Sequence, residues 1–337
     1  MRHHKNPRRR AEPRPISFFV FKRFASLLLT LLAASAVVFT VLDVLPGSAA
    51  EVMLGASATP ESVAALSARL GLDRPAPVRY ADWLRGLARG ELGTSIAYDT
   101  PIAQLVGERL VVTVPLALMA MTLTAALAFA LGLFAAARHG RAGDVGVMTV
   151  SQIGIALPNF WFAILLIWLF AVKLRWFSAG GFPGWDAADG GGLAPGLRAL
   201  VLPALALAVV QAAILARIVR SAVLEVLRED FVRTARAKGQ SPRGVLWGHV
   251  LRNAMVPVLT VMGLQFANLL TGTVVIEQVF SLPGLGRLVF QAIANRDLPV
   301  VRNVVMLLAA LVVVINFIID VLYAVIDPRL RARARTS

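Results

Sequence analysis

Few residues in this 337-residue chain could do covalent chemistry, and their spacing excludes most of it. The four lysines are Lys5, Lys22, Lys173 and Lys238, and the residues after them are Asn6, Arg23, Leu174 and Gly239. A phosphate-cradling loop needs a lysine followed by Ser or Thr after a glycine-rich turn. The chain therefore encodes no nucleotide-hydrolysing loop of its own. It has no cysteine, which excludes disulfides, thiolate metal sites and thiol catalysis. His3, His4, His139 and His249 lie near a terminus or between apolar runs, none with a second ligand at zinc spacing, and Gly-x-Ser-x-Gly is missing. No catalytic residue, metal or cofactor is expected in this chain. What stands out instead is a basic, amphipathic stretch from Ser221 to Pro257, broken once by glycine.

In that stretch Val223, Leu224, Leu227, Phe231 and Ala235 recur at helical spacing. Glu225, Arg228, Glu229, Arg233 and Arg236 take the other faces. Gly239 is placed to end the helix in a left-handed conformation, with Lys238 beside the last free carbonyls. Ser241 is then a good N-cap, and Pro242 suits the first position of a second helix running toward Arg252. His249 reads as an interfacial residue of that second helix. Two readings follow for the whole unit. One is a surface helix drawn to anionic lipid. The other, favoured by the glycine break, is a docking site for a soluble partner.

The elements that must position this unit are apolar. Hydrophobic residues make up 58% of the chain and mean hydropathy is +0.72. Charged residues are 16%, against about 25% in ordinary soluble chains. Six apolar runs, Phe24–Leu45, Val111–Ala137, Val147–Ala171, Ala199–Val219, Met255–Ile276 and Val304–Ile326, are each near or above the ~20 residues that cross a bilayer as helix. Lipid offers no water to backbone amides, so the class is all-α integral membrane with six transmembrane helices. The unit at 221–254 falls between the fourth and fifth runs. The net charge of +15 and the isoelectric point near 11.5 could indicate nucleic acid, but arginines gathered in the inner loops account for both, and no nucleic-acid partner is expected.

Charge also sets the orientation. With the N-terminus inside, the inner segments 1–23, 138–146, 217–254 and 327–337 hold 22 of the 34 Lys and Arg in 81 residues. The outer segments 46–110, 173–198 and 277–303 hold 12 in 118 residues. This bias puts both termini in the cytoplasm. The basic N-terminus 1–23 and the tail with Arg329, Arg331, Arg333 and Arg335 fit contact with inner-leaflet lipid. Arg8–Arg10 and Ser48-Ala49-Ala50 resemble parts of a signal peptide, but the 22-residue run at 24–45 exceeds the usual ~7–15, so it is read as a retained first span.

The outer loop 46–110 reads as short helices at Pro60–Leu70 and Val78–Arg89. It is either a cap on the spans or part of a docking surface for an external partner. Asn159, Gln211, Gln265, Asn268 and Asn316 are amides inside the runs. They serve either helix–helix hydrogen bonding or a hydrated path for a polar substrate. Pro158 and Pro203 are placed to bend the third and fourth spans. Asp43 and Asp320 lie near span ends, within reach of interfacial water or an arginine.

Several segments carry a resemblance. REDFVRTARAKGQS at 228–241, followed by LRNAMVPVLTVMG at 251–263, resembles the coupling loop of ABC importer permeases of the dipeptide/oligopeptide/nickel branch. RLGLDRPAPVRYADWLRGLARGELGTS at 69–95, ALPNFW at 156–161, VFSLPGLGRLVFQAIANRDLPVV at 279–301 and DVLYAVIDPRLR at 320–331 resemble the same branch, in the same order. Arg233-Thr234-Ala235 stands where the broader family begins Glu-Ala-Ala, Gly90-Glu91-Leu92-Gly93 replaces Gly-Asp-Leu-Gly, and Pro257 falls later after Gly239 than the general pattern has it.

The resemblance implies a type I ABC importer transmembrane domain over residues 107–326, in a bacterial inner (plasma) membrane. It implies two cytoplasmic ATPase subunits that bind the ATP and Mg, a second homologous permease and an external solute-binding protein. It makes Arg233, Thr234, Ala235, Ala237, Lys238 and Gly239 the ATPase-coupling residues. Small Ala235 and Ala237 would permit close approach. The implied cargo is a dipeptide, oligopeptide, nickel chelate, glutathione or related small polar solute. The alternative is an ion-coupled carrier working without ATPase subunits, which would need internal repeats and buried ion ligands that the sequence does not clearly offer.

Overall fold

The structure is a computed structural model that describes residues 16–44, 58–69, 71–188 and 190–326, together with positions 51, 54 and 55. Arg8–Arg10, Ser48–Ala50 and the arginine tail beyond Ile326 lie outside the described residues. The long helices are α1 (Ile16–Val44), α4 (Ile102–Ala137), α7 (Leu193–Val226), α9 (Pro242–Val279) and α11 (Leu298–Ile326). Between them lie α2 (Pro60–Arg69), α3 (Ala76–Arg89), α5 (Ala142–Ala156), α6 (Asn159–Lys173), α8 (Asp230–Ala237) and α10 (Leu285–Ala294). Arg23 near the start of α1 pairs with Asp320 near the end of α11 at 3.0 Å. The first and last helices are therefore antiparallel, and they leave the molecule at the same end, termed here the terminal end. The opposite end carries α2 and α3 and is the cap end.

Among the described residues, five helices are long and apolar enough to cross a membrane singly. The third run departs from the expected single span Val147–Ala171. It is two helices, α5 and α6, meeting at 103°. Leu157 (ψ 129°) and Pro158 (ψ 135°) are both extended, because proline removes a backbone donor and pushes the residue before it out of the α region. The pair still makes one crossing. α5 starts beside Arg220 at the terminal end, and the chain after α6 reaches Phe280 at the cap end, where Gly181 N donates to the Phe280 carbonyl at 2.8 Å. Pro203, by contrast, sits inside an unbroken α7.

α4 and α7 form the centre of the bundle. Ala128 and Gly132 on α4 pack among Leu215, Ala216 and Val219 on α7, and Ala120 packs among Leu200, Ala204 and Leu207, all but wholly buried. A Cβ on Gly132 would lie 2.7 Å from the Val219 Cβ and 2.8 Å from the Ala216 carbonyl. Lipid supplies no hydrophobic drive between helices, so close approach of small residues is what holds them.

The segments 58–69 and 71–101 form a cap, anchored through the second of them. Tyr80 and Ser35 share a 2.8 Å hydrogen bond, Arg79 pairs with Asp43 at 2.6 Å, and Trp83 Nε1 donates to Asn303 Oδ1 at 3.0 Å. Buried Asp297, just before α11, accepts from Ser95 Oγ and from the Ala97 amide. The observed α2 and α3 match the expected helices to within two residues at each end. α10 was not expected. Its start is held by Glu277, buried at the end of α9, which accepts from Thr113 Oγ1 at 2.6 Å and from the Gly286 amide at 2.7 Å. A buried carboxylate facing the free amides of a helix N-terminus satisfies both.

Candidate functional site

At the terminal end α7 stops at Val226, and Glu229 is extended (ψ 146°), so α8 starts afresh at Asp230. Asp230 in the first turn and Arg236 in the last both suit the helix dipole. The break changes the helical phase, and this corrects the expected inner face. Val232 (0% exposed) and Ala235 (7%) point into the core formed by Val219, Ala222, Val223, Val245, Val250 and Ala254. Phe231, expected to point inward, is 42% exposed. The continuous register counted from Val223 fails because Leu227–Glu229 form a turn.

Of the six candidate coupling residues, Arg233, Thr234, Ala237, Lys238 and Gly239 lie on the open side. Ala235 does not: it packs against this chain's own core and presents nothing for a partner to approach. Phe231, Thr234 and Lys238 fall three and four residues apart, which places them on one outward face. Gly239 has φ +81°, with nothing within 4 Å of where a Cβ would stand. Ser241 Oγ accepts from the Gly244 amide at 3.2 Å, and Pro242 opens α9. The turn is as the residue types require. The second helix, however, does not stop near Arg252. It passes through a π-helical turn at Leu246–Val250 into the fifth span, giving one helix from Pro242 to Val279. His249 lies in that turn, half-buried. The expected two-helix loop is thus one short helix on a turn, with its second half built into a span.

A second cluster braces this unit. Asp144, 3% exposed at the start of α5, accepts from Arg220 Nε at 2.6 Å and Nη2 at 2.7 Å, and from the Gly140 amide at 3.0 Å. His139 Nδ1 lies 3.0 Å from Arg220 Nη2 and 3.2 Å from Asp144 Oδ2. The α4–α5 turn is therefore fastened to α7 one and a half turns before α7 ends. Nothing in the local sequence pattern marks this pair, since 76 residues separate its members.

The five amides separate by position. Gln211 and Gln265 are buried together, and Gln265 Nε2 donates to the Gln211 carbonyl at 3.1 Å. Asn159 is half-buried just after the break, its amide nitrogen 3.8 Å from where a side chain on Gly272 would begin. Asn316 is half-buried on α11, with an Oδ1 that lacks a hydrogen-bond partner among the described residues. Asn268 is exposed. It belongs to a stripe on α9, Leu264, Asn268, Thr271, Val275 and Gln278, spaced four, three, four and three residues apart and exposed throughout. Among the described residues no group of three His, Asp or Glu side chains converges as metal ligands would.

Comparison with known proteins bears on this arrangement. The sequence pattern of the family described as "Binding-protein-dependent transport system inner membrane component" matches residues 128–332, and that of its N-terminal companion matches 16–117. This chain belongs to that family. A putative peptide transport system permease of Brucella abortus is 44% identical over 313 residues, covering 93% of this chain and 98% of the relative. The di/tripeptide transport system permease DppB of Pseudomonas aeruginosa is 40% identical over 330 residues, with 93% and 98% covered. The glutathione transport system permease GsiC of Salmonella choleraesuis is 37% identical over 313 residues, again with 93% and 98% covered. Among solved structures, an inward-facing MetNI methionine ABC transporter aligns with a TM-score of 0.55 at 18% identity, covering 67% of this chain and 98% of that chain. That likeness bears on the fold, an ABC importer membrane domain. The protein is thus a multi-pass inner-membrane permease of an ABC importer, and the carrier alternative falls, because the family is one component of a multi-part system.

Proposed function

We infer that this permease forms half of the path for a peptide or peptide-like solute, and that α8 receives the stroke of a cytoplasmic ATPase. The relatives named for peptides, di- and tripeptides and glutathione support that substrate class. In this reading both termini and α8 face the cytoplasm, and two ATPase subunits bind ATP and Mg. A second homologous permease lies against the open stripe of α9, and an external solute-binding protein delivers the cargo at the cap end. This chain itself performs no catalysis.

The outward face of α8 carries the proposal. Phe231, Thr234 and Lys238 are offered to a partner while Val232 and Ala235 lock the helix to the bundle. A stroke on that face is a stroke on α7 and α9 at once. Through the Asp144–Arg220 joint it also reaches α4 and α5. Asn268, Thr271 and Gln278 on the α9 stripe would be poor neighbours for lipid, and a hydrated path beside a second permease suits them.

The test uses the assembled importer in liposomes. Uptake of a labelled dipeptide is expected with internal ATP and the binding protein, and not with an ion gradient alone. Uptake driven by the gradient in the absence of ATP would refute the reading. The chain has no native cysteine, so Lys238→Cys gives a single site for crosslinking to the ATPase subunit.

A further inference from the structure

At the cap end a cavity of about 350 Å³ opens between α3 and the near ends of α1 and α11. Phe39 and Leu42 form part of its wall, and three arginines and two aspartates line it. Two of the arginines are matched. Arg79 pairs with Asp43 at 2.6 Å, and Arg74 pairs with Asp82 at 2.8 Å. The third, Arg302, has no carboxylate of its own among the described residues. Its Nε is buried without an acceptor, and its guanidinium lies 4.8 Å over the Trp83 ring.

Arginine does not shed its proton, so this charge persists. A stacked indole face offsets part of the lost hydration. It leaves the buried Nε–H without an acceptor, and such a donor is costly. The platform is fixed in advance. Trp83 Nε1 donates to Asn303, whose own amide donates to the Leu92 carbonyl at 2.9 Å and the Pro299 carbonyl at 2.8 Å. The site is therefore a preorganised cation in a cavity with one positive charge in excess.

We propose that Arg302 and Trp83 form a binding site for a phosphate oxyanion, supplied by the headgroup of an anionic phospholipid. The lipid source follows from position. Phe39 and Leu42 belong to the last turns of α1, where Val37, Val41 and Val44 are exposed on the outside of the bundle. Asp43, the first charged residue of α1 after Arg23, stands there, so the cavity sits where hydrocarbon gives way to headgroups. Arginine suits phosphate because its forked donors match two oxygens at once. The volume admits a glycerophosphate headgroup and leaves the acyl chains to lie along α1. The bound lipid would tie the cap to α1 and α11.

The test is native mass spectrometry of the assembled importer, purified with mixed phosphatidylglycerol and phosphatidylcholine. Wild type should retain phosphatidylglycerol selectively. Arg302→Gln should weaken that retention about tenfold, the effect of losing one charge-assisted contact. Trp83→Phe, which keeps an aromatic face, should weaken it less. Assembly is read from the same spectra, so a folding failure is recognised directly, and Arg302→Lys then takes the place of Arg302→Gln, with an intermediate loss expected. Equal retention of both lipids by wild type, or unchanged retention in an assembled Arg302→Gln importer, would overturn the proposal. So would displacement of phosphatidylglycerol by millimolar inorganic phosphate, since the site would then serve free phosphate.

Discussion

Asp144→Asn tests whether α4 and α5 follow the stroke delivered at α8. The wild-type carboxylate is 3% exposed and receives two guanidinium bonds at 2.6 and 2.7 Å, with a backbone amide at 3.0 Å. Asparagine keeps the shape and one carbonyl oxygen. Its amide nitrogen would face the guanidinium donor to donor, so one bond and the charge are lost together. The charge left behind, Arg220, is 20% exposed, so the cost is about 2–3 kcal/mol, below the ~3–5 kcal/mol of a fully buried pair. At about 1.4 kcal/mol per tenfold, the joint would open roughly 30- to 100-fold more often. The contacts of α4 with α7 through Ala128, Gly132 and Val219 remain, so the protein should still insert and assemble. The assay is ATP hydrolysis and dipeptide uptake measured together in proteoliposomes. Hydrolysis should persist while uptake per ATP falls about tenfold or more, the remainder of the weakened joint being shared with those packing contacts. Arg220→Lys, which cannot bind both carboxylate oxygens in a fork, should fall between. An assembled Asp144→Asn importer with wild-type uptake per ATP would refute the idea that this joint carries motion.

Other outcomes follow from the same geometry. Phe231→Ala should weaken association with the ATPase by about tenfold, because exposed aromatic anchors concentrate interface energy; titrated ATPase binding to the detergent-solubilised permease checks it. Gly239→Val should cost about 1–2 kcal/mol through its φ of +81° alone, since no neighbour would be struck, and should lower transport-coupled hydrolysis with insertion intact. Gly239→Asn, which tolerates that φ, should restore most of the loss, and equal defects in both variants would count against a backbone cause. Single cysteines at Ala235 and Ala237 should differ in labelling by a water-soluble maleimide. Ala237→Cys should react quickly and Ala235→Cys slowly, because only Ala235 is packed inside the bundle.

Local chemistry was legible along the chain wherever one segment could settle it. Apolar runs of about twenty residues have no outlet in lipid but helix, so the all-α membrane class followed from composition. Gly239, Ser241 and Pro242 specified their turn because each suits one backbone conformation. Asp43 and Asp320 were near enough to span ends to find arginines, and both did. The cap helices around Trp83 were visible to within two residues.

Tertiary structure decided what depends on phase and on distant partners. A helical count holds only while the helix is unbroken. The turn at Leu227–Glu229 rotated Phe231 outward and put Val232 in its place. The size of the bend at Leu157–Pro158 was not written in the proline, because Pro203 sits in a continuous helix. Packing sorted the five amides, burying Gln211 and Gln265 and leaving Asn268 open. Asp144 met Arg220 across 76 residues, and Arg302 met Trp83 across more than 200, because helices crossing the same bilayer bring their ends together however far apart they lie in the chain.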